Sequence, residues 1–353
     1  MYIGVDTHKQ THTLVMLTAQ GGLVEAMTIP NEPAGWQRAL TWGRQLAAQR
    51  YWGVENSGAL GKGFAQFLLE QGEIAVHEIT PHRTAQYRRR GRTQHKTDTA
   101  DALAMARLLV AEQPLLPVVQ RDDASTELRL LSDQRDHLIV TRTRLINQLH
   151  AHLLQLDPTY RVKSGALTSR RGLRYCEALT LPTPTPLQQT RVLIIHQLAA
   201  QLAQTVEAIG MLTVELTRRV RSVGARLAAL RGLGPVLIAR LLGELGSLPR
   251  ITSAAALAAL AGIAPITVAS GGRGGHRLNR GGNRQLNRVF HLIALCQRRW
   301  ESRAQVYYAK KRAEGKTARA AMRCLKRRLV DVVFRLLQPA SAIPASPEAV
   351  RAA

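Results

Sequence analysis

Four carboxylates carry the chemistry that this sequence suggests: Asp6, Glu55, Asp98 and Asp101. Cutting a phosphodiester requires a nucleophile and relief of the charge that develops on the leaving and bridging oxygens. Two divalent ions about 4 Å apart supply that relief. Mg²⁺ prefers carboxylate oxygen and water, so three or four Asp or Glu side chains must converge to hold it. Asp6 closes the apolar run YIGVD and Glu55 closes a later one, YWGVE. Asp98 and Asp101 stand three apart at the start of a helical stretch, on one face of the helix. Each acid alone has an ordinary alternative, as a turn residue after a strand or as a first-turn acid favoured by the helix dipole. Together they read as a catalytic set binding two Mg²⁺ ions. Lys9, Asn56, Ser57, His95 and Lys96 lie close to them in sequence and offer groups that orient a phosphate or a water. His8 and His12 read as surface histidines of a hairpin.

A second constellation is GIAPITVASGGRGGHRLNRGGNRQLNR, residues 262–288. Ser270 precedes Gly271 and Gly272, and small residues let a backbone approach a phosphate closely. Arg273, Arg277, Arg280, Arg284 and Arg288 follow, and planar guanidinium groups clamp phosphate well. A serine is a weak nucleophile unless something activates it. On residues alone this segment reads more readily as a polar glycine loop with an incidental serine.

The surrounding charge decides what kind of substrate these groups meet. The 353 residues hold 49 Lys and Arg against 24 Asp and Glu, a net charge of +25. Residues 271–335 hold 18 of those basic residues against 3 acids, more than half of the excess. A basic balance of this size points to nucleic acid, with an anionic membrane surface as the weaker alternative. Aromatic residues are only 4%, so stacking platforms for single strands are scarce. No uninterrupted apolar run reaches the roughly 18 residues of a membrane span, and no leader segment is read at the amino terminus. Three scattered cysteines, Cys176, Cys296 and Cys324, give no zinc pattern and fit a reducing, cytoplasmic setting.

The elements that must position these groups follow from periodicity. Residues 2–6, 12–18 and 23–29 read as three hairpin-linked strands. A helix over 33–49, a strand over 51–55, a helix over 60–71, a strand over 74–79, a basic loop RRRGRTQHK and a helix over 97–112 follow. The order predicts a mixed five-stranded sheet with helices on its faces, as in the ribonuclease-H-like fold. Beyond Pro114 and Pro117 the chain reads as helical. Apolar residues recur at helical spacing from Leu128 to Leu156, and by threes and fours from Ile195 to Leu230. That spacing predicts a coiled-coil hairpin or dimer contact, with a bundle core as the alternative. The run LRGLGPVLIARLLGELG suggests a helix-hairpin-helix-like unit that offers backbone N–H groups to phosphate, or an ordinary helical turn. The expected division is an α/β domain over 1–115, a coiled-coil region over 116–228, a mainly helical domain with the serine over 229–340, and a flexible tail over 341–353.

The segments GVDTHK, GVENSG, HKTDTADALAMARLL, LRGLGPVLIARLL, LAALAGIAP, ASGG and HRLNRGGNRQLNR resemble, in that order, the insertion-sequence one-ten/eleven-eleven family. Its members are DEDD recombinases, or transposases, of bacterial mobile elements, and the likeness spans residues 1–335. The resemblance implies a Holliday-junction-resolvase-like (RuvC-like) amino-terminal domain, a coiled-coil region and a carboxy-terminal transposase domain. It implies Mg²⁺ ligands at Asp6, Glu55, Asp98 and Asp101, and a catalytic serine at Ser270 that links covalently to DNA. It further implies donor and target double-stranded DNA, a structured guide (bridge) RNA encoded by the element, and assembly as a dimer of dimers. The protein would then act in the bacterial cytoplasm, on the nucleoid, away from membranes. The GGRGG that follows the serine departs from the family's pattern. Two rivals stand beside this reading. One is a structure-selective DNA junction endonuclease that uses water as nucleophile, and the other is a non-catalytic nucleic-acid scaffold.

Overall fold

A computed structural model describes residues 1–90, 97–162, 164–246, 251–270, 273–279 and 281–338. The chain divides into two compact units, Met1–Asp122 and Asp123–Ala353. The first contains β1 (Tyr2–Thr7), β2 (Thr11–Leu17), β3 (Leu23–Pro30), α1 (Pro33–Leu46), β4 (Tyr51–Glu55), α2 (Lys62–Glu70), β5 (Val76–Ile79), α3 (Pro81–Arg90) and α4 (Asp98–Glu112). The strands form one mixed sheet in the order β3-β2-β1-β4-β5. β1 pairs antiparallel with β2 and parallel with β4, and β4 pairs parallel with β5. The expected five-stranded mixed sheet is therefore present.

Strand alternation sorts the side chains between two helical layers. Ile3, Val5, Trp52 and Val54 pack with Ala39 and Leu40 of α1 and with Phe64, Ala65 and Leu68 of α2. The intervening positions face α4. There Gly4 and Gly53 are register partners on β1 and β4. A Cβ on Gly4 would stand 2.1 Å from the Ala102 carbonyl oxygen and 2.4 Å from the Ala106 nitrogen. A Cβ on Gly53 would meet Leu109 and Ile79 side-chain atoms at 2.5–2.9 Å. The absence of side chains here lets the backbone of α4 rest on the sheet. Two residues further along each strand come Asp6 and Glu55, on the same face, at the amino-terminal end of α4.

Helix α3 corrects the sequence reading, which placed Arg88, Arg89 and Arg90 in a basic loop. Its sequence, PHRTAQYRRR, has no apolar period to announce it. Pro81 suits a first helical turn. Tertiary contacts then hold the helix: the Tyr87 hydroxyl donates to Glu112 at 2.6 Å and Arg83 pairs with the same carboxylate. His12 is the second correction. It is fully buried, with its ring 5.6 Å from that of Phe64, and is not a surface residue.

The second unit contains α5 (Ala124–Leu156), α6 (Arg170–Glu177), α7 (Pro186–Val223), α8 (Ala225–Ala228), α9 (Pro235–Leu245), α10 (Ala254–Leu260), β6 (Ile266–Ser270), β7 (Arg273–Arg277), α11 (Arg284–Trp300), α12 (Ser302–Ala313) and α13 (Ala318–Leu337). α5 and α7 lie side by side and antiparallel. Glu127 pairs with Arg219, the Arg135 Nε donates to Thr213 at 2.9 Å, and Gln155 accepts from Arg191. The seam of α7 is thus met by a helix of the same chain. Leu145, Leu149 and Leu153 pack on Ile195, Ala199 and Leu202 at one end. Leu128 packs with Leu216 and Val220 at the other. The apolar repeat does not run unbroken to Leu230, because α7 ends before Gly224 and Leu227 lies on α8. An 18-residue window of α7 is apolar enough, by length and composition, to cross a membrane. That differs from the expectation that no such segment exists, because interspersed Gln and Thr hide it from a search for uninterrupted runs. Residues 266–270 and 273–277 are strand rather than loop: β6 and β7 pair antiparallel with Ser270 opposite Arg273. The β-branched ITV stretch and the Gly-Gly that follows Ser270 were its local signal.

The Gly4 contact is testable. Gly4→Ala forces a methyl into backbone atoms and is expected to destabilise the protein by about 1–3 kcal/mol. Gly58→Ala, with nothing within 4 Å of the added carbon, should leave stability nearly unchanged. Urea unfolding of the two variants beside wild type measures both.

Candidate active site

The first unit brings all four predicted acids to one place. Asp6 is the penultimate residue of β1 and is only 3% exposed, whereas Asp98, at the first position of α4, keeps 59% of its side chain exposed. Thr97 caps α4, its hydroxyl accepting from the Ala100 N–H at 3.1 Å, which fixes the turn that carries Asp98 and Asp101. The ends of β1 and β4 are tied together by the Thr7 hydroxyl, which donates to the Glu55 carbonyl at 2.9 Å. Past Glu55 the chain reverses through Asn56, whose φ of 49° is left-handed. Gly61 then passes so close that a Cβ there would lie 2.4 Å from the Glu55 carbonyl oxygen.

Two side chains that sequence reasoning did not single out complete the cluster. His8 Nε2 lies 3.2 Å from Asp6 Oδ2 and 3.3 Å from Asp98 Oδ1, bridging the two carboxylates. Arg88, on the helix misread as a loop, pairs with Asp101. For His8 a signal existed: it is two residues beyond Asp6, and strand alternation carries both to one face. For Arg88 there was none, since its position depends on α3.

The electrostatics are those of crowded, buried acids. Burial pushes the Asp6 carboxyl up to about 6; His8 opposes the shift, while Glu55 and Asp101 add to it. Burial likewise raises Glu55 above its ordinary value, with Asp101 adding and Thr84, His8 and Arg88 opposing. Two half-desolvated carboxylates whose ionisation is disfavoured form a site that a cation would relieve. One ligand atom each from Asp6, His8 and Asp98 already lies within 4.8 Å of the others. The donor set is dominated by carboxylate oxygen and fits a hard divalent cation.

Comparison with known proteins identifies the chain's relatives. Residues 3–158 match a family model of DEDD transposases of the IS110 type, described as "Transposase". Residues 224–309 match the model "Transposase IS116/IS110/IS902 family". The chain belongs to the IS110 family of transposases. It is 27% identical to the 44.8 kDa protein of insertion element IS116 of Streptomyces clavuligerus, over 96% of this chain and 94% of that protein. It is 24% identical to the 42 kDa protein of insertion element IS900 of Mycobacterium paratuberculosis, over 96% of each. Membership makes the chain an insertion-sequence enzyme that cuts and rejoins DNA, with DNA as its substrate, and suggests a divalent metal.

The second unit of this IS110-family transposase carries the serine and the arginines. Ser270 is the last residue of β6, and Arg273 opens β7 opposite it. Arg277 ends β7 and is exposed, as is Arg284 in the first turn of α11. Arg288 is 57% exposed but pairs with Asp136 at 3.1 Å. Arg280, His95 and Lys96 lie outside the described residues. Lys9, in the first unit, is exposed, and its carbonyl accepts from Asn31 at 3.2 Å. The asparagines between the arginines have structural roles. Asn279 donates to the Ala259 carbonyl at 3.3 Å and accepts from the Gly281 N–H. Asn283 caps α11 and donates to Glu244 at 2.7 Å. Asn287 donates to the Ala261 carbonyl at 2.9 Å and accepts from buried Lys326 at 2.5 Å. The three asparagines, spaced by four, clamp the end of α10 to α11 and leave Arg277 and Arg284 facing solvent.

The raised Asp6 carboxyl predicts a pH dependence. In the unfolded chain this group titrates near 3.8 and in the metal-free fold near 6. Its stabilising contribution is therefore complete below about pH 4 and is lost as pH rises through about 6. The urea midpoint of metal-free protein should fall between pH 5 and pH 7, and fall less in Asp6→Asn. Added Mg²⁺ should raise the wild-type midpoint more at pH 7 than at pH 5 and should leave Asp6→Asn nearly unmoved.

Proposed function

We propose that the protein is a serine-dependent, metal-assisted DNA recombinase that uses the four acids of the first unit and Ser270 of the second. The observation that carries this reading is the convergence of Asp6, Glu55, Asp98 and Asp101 at the ends of β1 and β4 under α4, in a chain of the IS110 family. The sheet order and the helix laid across β1 and β4 support a ribonuclease-H-like, RuvC-like assignment for the first unit. Asp6, Glu55, Asp98 and Asp101 would hold two Mg²⁺ ions. Bound there, the ions would withdraw charge from the scissile phosphate. His8 keeps Asp6 and Asp98 facing each other, and Arg88 compensates Asp101.

Ser270 Oγ attacks phosphorus, a new serine–phosphate ester forms, and the bond to the leaving oxygen breaks. The proton lost by the serine is balanced by the one the leaving oxygen takes up. A hydroxyl of the other strand then reverses the step on the new partner. Because one phosphoester replaces another each time, rejoining needs no external energy source. The position of Ser270 at the tip of a hairpin, with Arg273 opposite and Arg277 at the far end of β7, supports a role in which arginines grip the backbone beside the nucleophile.

Sequence choice is assigned to pairing with a structured guide RNA encoded by the element, and assembly to a dimer of dimers acting on donor and target duplexes in the cytoplasm, at the nucleoid. The large basic excess without a base-reading module in the sequence supports that delegation.

Ser270→Ala should abolish covalent protein–DNA adducts and recombination, and Asp98→Ala should lower both by about 100-fold or more. Cutting without adducts by Ser270→Ala would instead identify a junction nuclease that uses water. Normal DNA processing by both variants would leave only a scaffold. Sequencing RNA that co-purifies from cells carrying the whole element should return an enriched element-derived transcript; its absence would overturn guiding.

A further inference from the structure

One aromatic residue is out of place by ordinary burial rules. Of the four tryptophans, Trp52 is fully buried, Trp36 and Trp42 are half-buried, and Trp300 at the end of α11 is 58% exposed. Its surroundings are cationic. The Arg299 guanidinium lies over the indole, 4.9 Å from the ring centroid. The Arg298 guanidinium, also on α11, lies 5.4 Å from the ring centroid of Tyr308 on α12. The Arg231 side chain, exposed in the glycine turn before α9, donates to the Trp300 carbonyl at 3.0 Å. That contact is locked from beneath: Gln297 Nε2 donates to the Arg231 carbonyl at 2.6 Å, and a Cβ on Gly232 would lie 2.7 Å from the Cys296 Cβ. The Gly232-Leu233-Gly234 turn, the end of α11 and the start of α12 therefore form one fixed surface.

We propose that Trp300 is a stacking shelf for an unpaired nucleobase of single-stranded DNA, with Arg231, Arg298 and Arg299 holding the adjoining phosphates. A single aromatic face flanked by guanidinium groups is the arrangement that grips an unstacked base and its backbone without reading sequence. Arg299 occupies part of the indole, yet 58% of the residue remains open, so a flat apolar partner has room. A paired base does not suit, because both its faces are covered by neighbours in the duplex. The charge argues for a polyanion over a protein partner, since 18 Lys and Arg stand against 3 acids over residues 271–335. DNA is the occupant because cutting and exchanging strands of the substrate necessarily frees single-stranded stretches. The choice of DNA rests on the transposase assignment; the stacking itself does not depend on the acids or on Ser270.

Trp300 reports on its own occupant, because its emission is isolated as the difference between wild type and Trp300→Phe. Full-length protein is titrated with an oligothymidylate, with an abasic oligomer of equal length, with a duplex and with an oligouridylate. The oligothymidylate should quench the Trp300 emission. Trp300→Ala should bind it about 5- to 150-fold more weakly, with abasic and duplex affinities essentially unchanged and Trp300→Phe retaining most of the wild-type affinity. Equal oligothymidylate binding by wild type and Trp300→Ala overturns the proposal. So does an equal loss on the abasic oligomer, quenching by the oligouridylate alone, or a change in self-association in place of strand binding. If the alanine variant does not fold, the quenching difference between wild type and Trp300→Phe decides. Adduct formation by Ser270→Ala is a separate readout, so failure of the shelf and failure of the recombinase mechanism are distinguishable.

Discussion

Everything in the first unit depends on how closely one helix can lie against two strands. Gly4 and Gly53, register partners on β1 and β4, form a floor without side chains, and α4 rests on it. The two glycines are not equivalent. Around Gly53 the crowding atoms are side-chain carbons of Ile79 and Leu109, which can shift, whereas around Gly4 they are the carbonyl and amide of α4 itself. Gly4 therefore sets the height of the helix. With that height fixed, strand register carries Asp6 and Glu55 to the same level, and the first turn of α4 delivers Asp98 and Asp101 beside them. The acids come from three elements, yet their relative position rests on backbone contacts rather than on long side chains. Desolvation follows directly: a helix this close leaves little water around Asp6, which is why its carboxyl resists ionisation.

Charge in the second unit is sorted by depth. Arg240, 5% exposed, is surrounded by Asp133, Asp136 and Glu244, and so links α5 to α9. A buried ion group of this kind fixes geometry more than it adds stability, because desolvation offsets most of the attraction. The nearby asparagines take the remaining internal polar work at the end of α10. Charge on α11, α12 and α13 is mostly basic, with Arg288, Lys311 and Arg327 paired to Asp136, Glu314 and Asp331.

Much of the acid-bearing first unit was legible in the sequence. YIGVD and YWGVE each end an apolar run in an acid, and the structure aligns them in register from Tyr2 opposite Tyr51 to Val5 opposite Val54. The three hairpin-linked strands and the capped start of α4 were equally open to periodicity. Elements held by tertiary contacts were not. Helix α3 has almost no apolar residues and owes its place to Glu112 and Asp101, so Arg88 could not be anticipated. The β6–β7 hairpin was obscured by its glycines, which read as loop when counted and as strand only once paired. His8 was dismissed for its exposure, although its importance comes from standing between two acids. In the arginine-rich segment, residue type suggested one shared role, and the structure divides it between clamping asparagines and outward arginines.

The α5–α7 pair begins at Ala124 and ends at Val223, and both of its ends meet in the core of the second unit through Leu128, Leu216 and Val220. The far portion, from Leu145 through α6 to Leu202, has a separate core of its own. Such an excursion departs from and returns to one place, so matched numbers of turns can be added to or removed from its two helices without disturbing either anchoring end. It is an adjustable spacer: whole turns can be gained or lost along it while the parts of the fold on either side of it in sequence keep their own cores.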